Sequence, residues 1–346
     1  MLIKSSEQLR ELTGSFYANS DFDRIEMIVK GVEDEMADTI GREMMTHFDK
    51  EAESGESQLT LFTSNDRRLY VGSMEVTVEG DTLKFGGYSP YGLNCRVKGD
   101  TLHISNARAL RACQQAIAYM ATLRYYRLND ISHEDMGRKV KIDKENEARP
   151  FEWQLARDDR MHLEEYYRAL DRMMRALEDD IRFQQTKTWQ RKAGLIIKDA
   201  DSLAYLTGLD PSPWLFLRLV PFLAESQHFV EKAYGSDFSD ITSANDDLQH
   251  AAQMAVALGA IVLMGRRTSL QTLPYGLMKL FESDGGGNRM EAAALERLDY
   301  YLKHLSNQQH YWLNEMKILR DEAAGEEKAT YLQMPENEPH KKFMRL

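Results

Sequence analysis

Apolar residues recur at three- and four-residue steps along most of this chain, the signature of helices that hide one face. Phe22, Ile25, Ile28, Val29, Val32, Met36 and Ile40 form one such stripe, with Glu26, Glu33, Asp34 and Asp38 lying off it. The spacing predicts a helix over 21–40, stopped by Gly41. A second stripe, Phe216, Leu219, Phe222, Leu223, Val230 and Tyr234, follows Ser212 and Pro213, a cap and a first-turn proline. That helix is more apolar all round, which predicts a deeper position. Further helices are expected over 106–127, with Leu110, Cys113, Ile117, Met120 and Leu123 inward, and over 151–184, 246–264 and 289–322. Between 58 and 104 the period drops to two, as in Val76-Thr77-Val78 and Leu83-Lys84-Phe85. There Gly80-Asp81 and Gly99-Asp100 separate β-prone runs, so a small antiparallel sheet of four to six strands is expected. The two runs read first as two hairpins sharing turn chemistry, with a small internal repeat as the alternative.

The chain also echoes itself. Residues 3–41, shifted by 194, fall without a gap on 197–235 with nine identities in 39 columns, among them Leu9 on Leu203, Gly14 on Gly208, Phe22 on Phe216 and Gly41 on Gly235. Ser5 with Gln8 three residues on reads as a capping box, and Asp199 takes the cap position in the copy. For the next helix the shift falls to 138, placing Leu110 on Leu248 and Gln115 on Gln253; the missing 56 residues match the β-rich stretch. The expected fold is therefore mostly α with a β insertion (α+β), a tandem duplication of a helical repeat. Its expected units are 1–190, carrying the sheet at 50–105, then 191–324 and a mobile charged tail at 325–346. An insertion of this kind is expected to be expendable to the helical core.

At 346 residues, with 42% hydrophobic and 29% charged positions, the chain is globular. A net charge of −11 argues against a general nucleic-acid coat, which needs surplus cations. Two cysteines, Cys95 and Cys113, in no metal or redox spacing, point to a reducing compartment. No secretory signal opens the chain, and its most apolar run, 254–264, falls short of a membrane span, so a cytoplasmic location is expected. His133-Glu134-Asp135 reads as a solvated loop, His162 with Glu164 and Glu165 as an exposed helix face, and Gly285-Gly286-Gly287 as a connector without the Lys-Ser of a phosphate loop. Cys113 lies on an apolar face, an inert place for a thiol. No catalytic residue, metal ligand or cofactor is expected. Arg108, Arg111, Arg124 and Arg127, beside Tyr125 and Tyr126 and with Lys139, make the best basic and aromatic patch, and Arg266 and Arg267 follow the matching helix. They are candidate contacts for a partner or a DNA backbone, though cations also sit at helix C-termini to answer the dipole.

The opening 2–9, then Phe22-Asp23-Arg24-Ile25 through Ile40-Gly41, with 108–126, Arg149-Pro150-Phe151 and the 197–235 repeat, resembles uncharacterised prophage-borne proteins of gut bacteria. More remotely, each half is similar to the helical adaptors of the phage head–tail connector ring. That resemblance implies a non-enzymatic virion-assembly protein, in the host cytoplasm or the virion, docking on portal or tail components or on copies of itself. Tyr166, Tyr167, Met173 and Met174 are expected at such a docking surface. The competing reading is a ligand-binding protein or enzyme with its site between the repeats.

Overall fold

The computed structural model describes residues 1–16, 21–60, 62–63, 69–71, 74–79, 82–85, 93–98, 101–129, 132–134, 137–139, 152–235, 246–268 and 295–323. The Gly285–Gly287 connector and the 325–346 tail lie outside them.

The protein is mostly helical with small antiparallel sheets. Its first half opens with α1 (Ser6–Thr13) and α2 (Asp23–Ile40). The Ser5 hydroxyl accepts from the Gln8 N–H at 3.2 Å, and Gly14 leaves α1 at φ 71°. The Gln8 side chain completes the cap from Lys4 rather than from Ser5 itself, accepting that N–H at 2.9 Å. Ile25, Val29, Val32, Met36 and Ile40 are buried along α2, as the stripe requires. Gly41 at φ 100° turns the chain straight into α3 (Arg42–Ser54), a helix that the change of composition near Lys50 concealed.

Strands follow: β1 (Ser57–Thr60), β2 (Phe62–Thr63), β3 (Leu69–Val71), β4 (Met74–Glu79), β5 (Thr82–Phe85), β6 (Asn94–Lys98) and β7 (Thr101–Ser105). They form two antiparallel sheets, β1-β7-β6 and β2-β3-β4-β5, one strand more than the upper expectation among the described residues. Glu79 stands opposite Thr82 and Lys98 opposite Thr101, so each Gly-Asp pair links two hydrogen-bonded strands. Next come α4 (Ala107–Asn129), the short pair β8 (Ser132–Glu134) and β9 (Gly137–Lys139), and α5 (Glu152–Leu177). The long helix expected to 184 ends at Leu177, because Asp180 caps a separate turn, α6 (Ile181–Gln184), and α7 (Lys187–Gln190) follows.

The second half is α8 (Ala200–Thr207), α9 (Pro213–Tyr234), α10 (Asp246–Thr268) and α11 (Leu295–Ala323). Its local bonding recurs at the 194-residue shift. Leu2 N–H donates to Glu33 on α2 at 2.6 Å, and Ile196 N–H donates to Gln227 on α9 at 2.9 Å. Thr13 donates to the Leu9 carbonyl, and Thr207 to that of Leu203. Asp199 caps α8 at 2.7 Å, and Gly208 leaves it at φ 69°. Helix α4 is the central helix of its half, packed by α1, α2 and α5, and α10 is central in its own, packed by α8, α9 and α11.

The halves meet where α5 packs on α9. Asp171 accepts from the Ser212 hydroxyl at 2.7 Å and from the Trp214 N–H at 3.0 Å. Trp214 and Leu217 pack against the first core while Phe216, Leu219 and Leu223 enter the second. The extra apolarity of α9 thus serves two cores. Helix α10 has the length and hydropathy of a membrane span over Asp246–Arg267, but 72% of that window is buried inside the bundle.

Gly259 on α10 sits against Ser226 of α9 and Gln309 of α11, and a Cβ there would collide with both side chains. Gly31 on α2 is exposed with open space around it. Alanine at either site gains up to about 1 kcal/mol of helix propensity, but at Gly259 overpacking costs about 1–3 kcal/mol. Gly31→Ala is therefore expected to raise the urea midpoint and Gly259→Ala to lower it.

Candidate functional site: an arginine-lined cleft

The six arginines singled out from the sequence do not form one patch. Arg108 and Arg111 lie in the first turns of α4, Arg124 and Arg127 in its last turns, and Arg266 and Arg267 near the end of α10. Thirteen residues separate Arg111 from Arg124, about 20 Å of helix. Arg124 is clamped by Glu35 at 2.7 and 2.8 Å, and Arg127 donates to Asp159 at 2.9 Å. Arg267 grips Glu225 at 2.5 and 2.7 Å, with Arg266 exposed beside it. Carboxylates thus already answer Arg124, Arg127 and Arg267, in surface pairs of small energetic weight.

Arg108 and Arg111 have a different setting. Helices α4 and α5 run antiparallel, since Arg127 meets Asp159 at one end and Asn106 meets the Ala176 carbonyl at the other. At the second end Arg108 and Arg111 join Arg172 and Arg175 of α5 around an open cleft of about 380 Å³. Ala112 and Ala176 leave room between the helices, and Asn106, Gln115 and Asp179 complete the polar wall. Arg172 donates to the Gln115 side-chain oxygen at 3.2 Å and Arg175 to the Pro211 carbonyl at 2.9 Å. These neutral acceptors orient a guanidinium without cancelling its charge. Asp201 stands 4.0 Å from Arg175. The first turn of α4 has no acidic residue, and cations there oppose the helix dipole.

Beneath the cleft lies a buried ionic network that sequence reasoning missed. Arg182 is fully enclosed: its guanidinium donates to both Asp180 oxygens at 2.6 and 2.9 Å, to Glu51 at 2.8 Å and to Ser57 at 2.7 Å. Asn106 belongs to the same network. Its backbone N–H donates to Glu51 at 2.6 Å and its side-chain amide to Asp180 at 3.1 Å, while its carbonyl oxygen caps α4 at Ala109. Burial pushes the Glu51 carboxyl above its ordinary value despite Arg182. Burial also opposes the Arg182 charge, but the Asp180 and Glu51 contacts outweigh it and hold the guanidinium above its usual value. Nearby, burial and then the Arg182 charge push His47 down from 6.5 to about 4, and its Nδ1 has no partner. Desolvation pushes the Cys95 thiol up to about 11, so it stays protonated at neutral pH and is a poor nucleophile. The network also revises the view of the insertion as expendable, because Ser57 and Glu51 anchor its base to the helical body.

Other expectations shift with packing. His162 is 1% exposed rather than on a solvent face: Ser15 and the Asp158 carbonyl hold its ring nitrogens, and Tyr119 and Tyr126 meet its ring edge-on. Cys113 is buried, and desolvation raises its thiol far above the ordinary range. Met173 and Met174 are core residues, and Tyr166 packs against that core, so of those four side chains Tyr167 alone is exposed. His133 and Glu134 lie in β8, whereas Asp135 is outside the described residues. Among the described residues no cluster of three or more His, Cys, Asp or Glu could hold a metal ion.

The outer face of α11 carries Tyr300, Lys303, His304, Asn307, Gln308, Tyr311 and Asn314, all exposed. Tyr300 and Tyr311 are eleven residues apart, about three full turns, and share that face at 78% and 60% exposure.

Arg182→Met strands two buried carboxylates and is expected to cost about 3–5 kcal/mol, read as a lowered urea midpoint. His47 titrates lower in the folded chain, so the unfolded chain takes up its proton first. The stability that neutral His47 contributes is present above pH 6.5 and is lost as pH falls toward about 4. His47→Gln should accordingly flatten the decline of the urea midpoint across that window, the Glu51 contribution being common to both proteins.

Comparison with protein-family models, with curated proteins and with solved structures returned no match.

Proposed function

We propose that this chain is a non-enzymatic docking protein, built by tandem duplication of a helical unit and working through protein–protein contact. The hydrogen bonds that recur at one fixed shift support the duplication: Glu33 and Gln227 differ as letters yet accept from equivalent backbone N–H groups. The outer face of α11 carries the docking reading. Between Tyr300 and Asn314 that face exposes seven side chains of which only Lys303 bears a permanent charge, with exposed Asp299 before this stretch and Lys317 and Glu322 after it, in a chain whose residues are 29% charged. By contrast, α5 displays the ion pairs Arg160–Glu164 and Arg168–Glu165 on its surface. Aromatic enrichment with few charges is the composition of interface cores. The resemblance in the opening residues and the 197–235 repeat puts the partner among phage portal or tail components, with self-association as the alternative.

Glutamate at Tyr300 and Tyr311 together leaves the bundle core untouched, since both rings are exposed. The double variant is expected to keep its helical circular dichroism and to lose complex formation with portal or tail proteins, read by light scattering. Equal complex formation by the variant and the parent chain, or a strict monomer that binds none of those partners, refutes the reading.

A further inference from the structure

We propose that the cleft between the start of α4 and the end of α5 binds a compact phosphate-type polyanion, a pyrophosphate or a small phosphate ester. This does not depend on the α11 docking face.

Charge comes first. Four arginines line the cleft, whose wall holds the single carboxylate of Asp179, with Asp201 4.0 Å from Arg175, on a chain of net charge −11. A fold that merely tolerated Arg111 and Arg172 would pair them, as Arg124, Arg127 and Arg267 are paired with Glu35, Asp159 and Glu225. In the cleft, Arg172 instead takes an amide oxygen and Arg175 a carbonyl oxygen with Asp201 4.0 Å away, and no hydrogen bond or ion pair joins Arg111 to another described residue. Nor does helix stability account for Arg108 and Arg111. Cations in a first turn cost about 0.3–1 kcal/mol against the dipole, and four like charges converging on one cleft repel. The fold carries that strain and an anion relieves it.

Geometry then narrows the anion. Arg108 and Arg111 are three residues apart on α4, as are Arg172 and Arg175 on α5, so each pair stacks on one helix face. Packed helix axes lie about 8–10 Å apart, which brings guanidinium forks to the ligand from opposite sides. A single carboxylate presents one edge. Phosphate groups present oxygens all round, and each fork can be satisfied bidentately. The opening of about 380 Å³ falls within the roughly 300–1,000 Å³ of small-molecule sites. An extended nucleic acid would instead call for a cationic stripe, and the remaining arginines of α4 lie a helix length away, already paired.

The floor is preorganised. Asn106, whose side chain caps α4 beside Arg108, is pinned by Glu51 and Asp180, themselves held by Arg182. Fixing the start of α4 fixes where both of its arginines leave the helix, which lowers the ordering cost of binding.

Isothermal titration of the full chain with sodium pyrophosphate at low ionic strength tests this. Saturable binding is expected, weakened about ten-fold or more by Arg111→Gln with Arg172→Gln, the worth of at least one charged hydrogen bond. Arg124→Gln with Arg267→Gln, which removes two other exposed arginines, should leave the affinity close to that of the parent chain. All four positions are at least partly exposed, so both variants should keep the parent circular dichroism. The proposal is overturned by absence of binding to the parent chain, by equal weakening in the two double variants, or by tighter binding of succinate or of a short DNA duplex than of pyrophosphate.

Discussion

A guanidinium removed from water has to be answered within hydrogen-bond distance, and much of the first half is arranged around meeting that demand for Arg182. Its partners come from α3, from β1 and from the turn after α5. Two carboxylates around one cation would leave an excess negative charge, which the amides of Asn106 and the backbone N–H of Arg182 help to spread. Removing either sign strands the other in a low dielectric, so the elements supplying them hold their places together. The sheet insertion, the start of α4 and the end of α5 are thereby tied at one point.

That point lies below the end of the α4–α5 pair where Arg108, Arg111, Arg172 and Arg175 line one cleft. The two facts belong together. Holding several cations side by side requires a scaffold that does not relax to separate them, and a fully satisfied buried network is stiff. The opposite end of the same helix pair handles its arginines conventionally, one acidic side chain for each. Helix α4 therefore carries two settings within one element, arginines in carboxylate pairs at its C-terminus and arginines lining a cleft at its N-terminus.

The two halves meet the same local hydrogen-bonding demands with different residues. The cap of α1 uses a hydroxyl and that of α8 a carboxylate; the acceptor on the second helix is a carboxylate in one and an amide in the other. In each case the acceptor recurs and the residue identity does not. What differs between the halves is the surroundings: the first unit spends α3 and the sheet on enclosing Arg182, whereas α9 spends its additional apolar side chains on joining the two cores.

Local chemistry was readable from the chain itself. The caps at Ser5, Asp199 and Ser212, the exits at Gly14 and Gly208, the buried stripe of α2 and the Gly-Asp links in the sheet all depend on neighbours within a few residues, so spacing alone determines them. Arg108 and Arg111 were visible as basic residues for the same reason. Their grouping was not: the sequence joins them to Arg124 and Arg127 on the same helix, whereas the cleft joins them to Arg172 and Arg175, more than sixty positions away. Burial of His162, Met173 and Met174, and the enclosure of Arg182 by Glu51 at a separation of 131 residues, likewise depend on which faces meet. Periodicity tells which face of a helix avoids water, but only the packing of helix on helix decides which charges are left facing one another across a gap.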